Sequence, residues 1–179
     1  MTKAREPLGA LEVHLRVGRS EDAARLAEVF VAAWRAAYPG VIAEEVLSRL
    51  DEEETATWLG TLLGSDGSST VVAESGNGEL LGFCRYGDDP DDAAFGHIFS
   101  LYVMPSASRR GVGRRLLAGA LEGLARRRAG TVRLWVFQEN ERALAFYSAF
   151  GFSPDGARRV EAEYGADEIR LCRVTGGGS

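Results

Sequence analysis

The segment from Leu101 to Leu117, LYVMPSASRRGVGRRLL, constrains this chain more than any other. An apolar run over 95–104 stops at Pro105, a short basic loop over 105–111 follows, and Gly111 and Gly113 open an amphipathic helix over about 112–128. Val112, Leu116, Leu117, Ala120, Leu121 and Leu124 fall on one side of that helix, the pattern of a face packed on a sheet. Such a strand–loop–helix unit belongs in a layered α/β fold. The helix start is also an anion site, because its first N–H groups lack helical acceptors and carry the positive end of the dipole. Without a Cβ, Gly111 and Gly113 let a phosphate approach the backbone. Arg109, Arg110, Arg114 and Arg115 add charge, and each sheltered charge-assisted hydrogen bond contributes about 1.5–3 kcal/mol. A P-loop would need Gly-Lys-Ser/Thr, which the chain lacks, and a dinucleotide fingerprint would need glycine at Leu116. On spacing alone, a solvated arginine-rich helix start is the other reading.

The flanking pattern predicts the remaining elements. Residues 11–17 alternate as a half-buried strand. Ser20 can cap a helix to about Ala37 whose apolar face holds Leu26, Phe30, Ala33, Trp34 and Ala37, and Pro39-Gly40 stops it. A helical stretch over 43–63 breaks near Asp51. After a loop at 64–68, strands at 69–75 and 79–86 join through Gly76-Asn77-Gly78, a hairpin cue. A strand at 131–137, a helix at 140–149 and strands near 158–164 and 168–174 complete the order βααβββαβαββ, a mixed α/β fold in one domain over 1–179 with a core of about 11–174. The tail 175–179 reads as a flexible end.

Composition narrows the function. Two cysteines, Cys84 and Cys172, and two histidines, His14 and His97, make a disulfide framework or a metal site an unpromising reading, so no metal is expected. A formal charge of -5 argues against a nucleic-acid partner, and no apolar stretch approaches the roughly 18–20 residues that span a bilayer. The start lacks a secretory core, so a cytoplasmic enzyme is the expectation.

Two blocks carry a resemblance. Val103-x-Pro105 followed by Arg109-Arg110-Gly111-Val112-Gly113-x-x-Leu116-Leu117 resembles the coenzyme A motif of the GNAT superfamily of N-acetyltransferases, Gln/Arg-x-x-Gly-x-Gly/Ala, with Ser108 at its leading position. Asn140 to Phe152, NERALAFYSAFGF, is similar to the family's Asn-x-x-Ala-x-x-Phe-Tyr-x-x-x-Gly-Phe block. The resemblance spans the predicted element order and implies a central, mostly antiparallel mixed sheet flanked by helices, with acetyl-coenzyme A as cosubstrate. It implies that the backbone of Leu101, Tyr102 and Val103 pairs with the pantetheine arm where the central strand splays, and that 108–115 (Ser108, Arg109, Arg110, Gly111, Val112, Gly113, Arg114 and Arg115) hold the pyrophosphate. It further implies that Asn140 contacts the arm and Tyr147 donates a proton to the departing thiolate. From the residues alone, Asn140 is equally a helix cap and Tyr147 a core aromatic. A thiol near pKa 8.5 and a phenol near 10 are close enough for that transfer.

An alkyl ammonium near pKa 10 must lose its proton before attack, a cost of about 4 kcal/mol at pH 7. Many family members place a glutamate eight residues before the position matching Pro105, and here that position is His97, a competent base at neutral pH. Simple alternation puts Phe95, His97, Phe99, Leu101 and Val103 on one face, and a hydrogen-bonded structural histidine is the competing role. Glu44, Glu45 and Asp92 are fallback bases. Trp34 and Tyr38, four apart, face either a pocket or the core. The expected function is acetylation of a primary amine of unknown identity by direct attack in a ternary complex, since no cysteine nucleophile is persuasive. A non-catalytic acyl-coenzyme A sensor of the same fold is the alternative, nucleotide binding at the arginine loop a third reading, and a homodimer remains open.

Overall fold

The computed structural model describes residues 12–63, 65 and 67–175. Its elements are β1 (Val13–Val17), α1 (Ala23–Ala37), α2 (Glu44–Arg49), α3 (Glu52–Leu63), β2 (Ser68–Ser75), β3 (Leu80–Asp88), β4 (Gly96–Val103), α4 (Val112–Arg126), β5 (Thr131–Phe137), α5 (Glu141–Ser148), β6 (Ser153–Glu161) and β7 (Ala166–Val174). The strands form one sheet in the order β1-β2-β3-β4-β5-β7-β6. Every pairing is antiparallel except β4 with β5, which run parallel because α4 carries the chain back across the sheet.

Two apolar cores sandwich this sheet. On one face Val112, Leu116, Leu117, Ala120 and Leu124 of α4 pack with Ile98, Leu134 and Tyr147. On the other, Leu26, Val29, Phe30 and Trp34 of α1 pack with Leu59, Val72, Phe83 and Phe137. Burying each large aliphatic side chain contributes about 1.5–3 kcal/mol, so these faces carry most of the fold. No helix among the described residues is long and apolar enough to cross a membrane.

Several boundaries differ from the pattern-based expectation. Ser20 caps nothing: Ser20–Asp22 form a 3-10 turn, and Asp22 accepts the Arg19 N–H at 2.8 Å and both terminal nitrogens of Arg16 at 2.8 Å. The aspartate, not the serine, finds a cationic partner. Ala37 is exposed rather than part of the buried face. Asp51 breaks 43–63 by capping α3, its Oδ1 accepting the N–H groups of Glu53 and Glu54 at 2.9 Å each. The sixth strand begins at Ser153, and its turn occupies 162–165, within what reads as strand. Residues 64, 66 and the tail 176–179 lie outside the described residues, as does position 11 at the start of the first predicted strand.

Candidate active site

The sheet opens at its centre. β4 and β5 pair only from Gly96↔Val132 to Ile98↔Leu134. Beyond that, Leu101, Tyr102 and Val103 pair with Cys84, Phe83 and Gly82 of β3 alone, leaving an unpaired backbone edge toward β5. The gap widens into a cleft of about 770 Å³ between Leu101–Val103 and Trp135–Phe137. An extended amide-bearing arm fits such an edge as an added strand would.

One end of the cleft is basic. Ser108, Arg109, Gly111, Gly113, Arg114 and Arg142 line it. Gly111 caps α4 at φ +83°, the left-handed region where glycine costs nothing, and brings the helix N-terminus against the cleft. A Cβ on Gly113 would meet Phe146 at 3.6 Å and Val103 at 3.7 Å, so protein packing leaves room beside it. The Ser108 hydroxyl accepts from Arg142 of α5, which ties the loop to that helix. Arg114 lies over the Phe150 ring at 5.2 Å. Three expected cofactor residues have side chains directed elsewhere. Val112 is core, Arg115 donates Nη1 to the Val13 carbonyl at 2.9 Å, and Arg110 is exposed off the cleft wall. A helix turns 100° per residue, so consecutive positions cannot all face one ligand.

Tyr147 and Asn140 line the middle of the cleft. Asn140 Oδ1 caps α5 by accepting the Ala143 N–H at 3.0 Å. Tyr147 is 9% exposed, and burial pushes its phenol well above the ordinary value, with Cys84 adding to the rise. The ring therefore enters any reaction protonated. Cys84 is fully buried with its thiol pushed up by burial, and it does not reach the cleft wall.

The far end is acidic and aromatic. Trp34, Tyr38, Trp58, Phe99 and Tyr164 form its walls, and Glu161, Glu163 and Glu168 outnumber Arg159. Trp34 is 4% exposed, its ring 4.9 Å from those of Tyr38 and Tyr164, so the core and pocket roles coincide. Burial pushes the Tyr38 phenol up to about 12, with Glu168 adding to the rise. Arg159 Nε donates to Glu168 Oε2 at 2.6 Å. Burial nevertheless raises the Glu168 carboxyl above the usual range, against the opposing pull of Arg159.

His97 is not in this cleft. Arg85 pairs with Ser100 and Tyr86 with Ile98, so Phe99 is an extra residue in β4 and the alternation breaks there. Ile98, Leu101 and Val103 face α4, while Tyr102 faces α1 and His97 lies opposite Ile98. The expected shared face of His97, Leu101 and Val103 is thereby corrected. His97 is 6% exposed, stacks 4.9 Å from Phe99 and holds Asp89 Oδ2 through Nδ1 at 2.9 Å. Burial lowers its pKa, against the pull of Asp89. The geometry is that of a structural pair pinning the acidic loop, whose Asp91 and Asp92 N–H groups bind Asp89 Oδ1 at 3.0 and 3.3 Å. Glu44, Glu45 and Asp92 are likewise off the cleft wall.

Sequence reasoning missed Arg142, Trp135, Arg159, Glu161, Glu163, Tyr164 and Glu168, all of which line the cleft. The one available signal was the acidic run Glu161–Tyr164 between two strands, had the turn been placed there.

The comparisons agree with this architecture. The N-acetyltransferase YuaI of Bacillus subtilis is 28% identical over 165 residues, 90% of each chain. A mycothiol acetyltransferase of Beutenbergia cavernae is 41% identical over 95 residues, 53% of this chain and 30% of that protein. The PaiA N-acetyltransferase of Thermoplasma acidophilum, solved with coenzyme A, superposes with a TM-score of 0.74 at 20% identity over 92% of this chain and 99% of that one, a likeness of fold. The family model for GNAT acetyltransferases matches residues 23–152. The chain belongs to the acetyltransferase (GNAT) family.

Proposed function

We propose that the protein transfers the acetyl group of acetyl-coenzyme A to a primary amine by direct attack within a ternary complex. The observation that carries this reading is the polarity of the cleft: arginines and a helix N-terminus at one end, three glutamates among aromatic rings at the other, and Tyr147 between them. A pyrophosphate suits the first end and an ammonium the second. When bound, acetyl-coenzyme A would supply the activated thioester. The N–H groups at the start of α4, with Arg109 and Arg114, would hold the phosphates, and the free edge of Leu101–Val103 would align the arm. Tyr147 would protonate the leaving sulfur.

A cysteine relay is disfavoured because Cys84 is sealed in the core. Direct attack therefore needs both substrates in the cleft together. Thiol release from acetyl-coenzyme A, screened against a panel of primary amines, tests the proposal. Amine-dependent release with formation of the acetamide supports it. Tight coenzyme binding with no turnover for any amine would replace transfer by acyl-coenzyme sensing.

A further inference from the structure

We propose that Glu168 takes the proton from the acceptor amine through Oε1, directly or across one water. This rests on the acetyl-transfer reading above and names its missing base. No histidine lines the cleft among the described residues, and its carboxylates are Glu161, Glu163 and Glu168. Of these, Glu168 is the one held in place. It sits opposite Phe137 in the β5–β7 register, so its side chain shares the face of Phe137 and projects toward α1. It is 8% exposed, whereas Glu163 is exposed in the turn at 162–165 and Glu161 lies 3.4 Å from Arg159. Arg159 Nε fixes Oε2, and Oε1 makes no hydrogen bond among the described residues. One oxygen is anchored and the other is available on the wall of the cleft.

Among the described residues, the charged and titratable groups facing Glu168 are Arg159 and Glu161 from β6, and Tyr38 just after α1. Burial lifts the carboxyl toward the amine's own range, which makes proton acceptance less uphill. The step balances without a further reagent. The ammonium proton moves to Oε1, the freed nitrogen lone pair forms the N–C bond at the thioester carbonyl, and the C–S bond breaks as sulfur takes the Tyr147 proton. The second proton left on nitrogen passes through water to the Tyr147 phenolate as the amide forms, and Glu168 releases the first to solvent.

The test compares Glu168→Gln with wild type on two primary amines. Benzylamine is an ammonium at pH 7, while the fluorines of trifluoroethylamine withdraw electrons and leave it largely neutral. The kcat/KM for benzylamine should fall roughly 10²–10⁴-fold in Glu168→Gln, and far less for trifluoroethylamine. Coenzyme A affinity should be unchanged. The wild-type rise of kcat/KM through the Glu168 pKa should vanish in the variant. Equal losses with both amines, or an unaltered pH profile, would overturn the role. If Glu168→Gln does not fold, Arg159→Gln decides: without its cation the Glu168 pKa rises further, so the rising limb should move to higher pH. A stationary limb there refutes the proposal. Coenzyme binding with no turnover of these or any other primary amine of the panel by wild type would instead overturn the transfer reading itself.

Discussion

Replacing Gly113 by alanine should make the protein more stable and leave coenzyme A binding nearly intact, whereas leucine at the same position should block it. Gly113 is the second residue of α4, and its added Cβ would meet Phe146 and Val103 at 3.6–3.7 Å, ordinary contact distances. The fold therefore has no clash to relieve. Alanine in place of glycine in a helix is favourable by up to about 1 kcal/mol, less so in the first turn. A gain of about 0.5 kcal/mol would raise Tm by roughly 1–2 °C in a chain of this size. A leucine side chain would extend past the alanine methyl beside the helix N-terminus, where the phosphates need the backbone. Losing one charge-assisted hydrogen bond of about 1.5–3 kcal/mol weakens binding roughly 10–150-fold. Calorimetry with coenzyme A and a thermal melt measure both. Gly82→Ala is the control, because its Cβ would sit 2.6 Å from the Tyr102 carbonyl and 3.0 Å from Leu116, so it should lose stability by roughly 1–3 kcal/mol. An unchanged Kd for Gly113→Leu would refute the placement of the phosphates at this helix.

Two further predictions follow from the same geometry. Tyr147→Phe should lower kcat by roughly 10–10⁴-fold with coenzyme affinity nearly preserved, because burial keeps the phenol protonated and its loss removes a proton donor rather than a binding contact; stopped-flow turnover and calorimetry separate the two, and an unaltered kcat with chemistry rate-limiting returns Tyr147 to packing. His97→Ala should cost about 1.5–3 kcal/mol in urea unfolding while leaving the pH profile of kcat/KM in place. Burial lowers the folded His97 pKa below the unfolded value near 6.5, so the unfolded chain binds the proton first, and this contribution is present above about pH 6.5 and lost as pH falls toward the folded pKa; a wild-type and variant difference that persists undiminished in acid would contradict it.

Much of the cofactor end was legible because short-range rules govern it. Pro105 stops a strand, Gly111 takes a left-handed cap, and Leu116, Leu117 and Leu124 repeat at helical spacing, all decided within a few residues. The acceptor end was not, because its residues come from α1, α3, β4 and the β6–β7 hairpin and meet only in the assembled sheet and helices. Glu168 looks in sequence like any solvated strand carboxylate. It becomes buried because β7 inserts between β5 and β6, a non-sequential placement no periodicity announces. Arg115 shows the converse: charge and position suggest phosphate, but helix rotation carries its guanidinium to the Val13 carbonyl.

The bulge at Phe99 explains why a base cannot be located by counting back from Pro105. A strand alternates strictly, so each inserted residue inverts the facing of everything before it relative to everything after. Between Leu101 and His97 the register gains one residue, and His97 leaves the face that parity assigns it. On its new face it lies against Phe99 and is claimed by Asp89, whose carboxylate is 5% exposed and would otherwise be a buried charge lacking its imidazole partner. An eight-residue offset from a motif therefore specifies a catalytic position only if the intervening register is preserved. Under the proposed amine transfer, the proton acceptor is a carboxylate that another strand brings to the cleft, and Glu168, with Oε2 anchored and Oε1 unbonded among the described residues, meets that requirement without any displacement of the backbone.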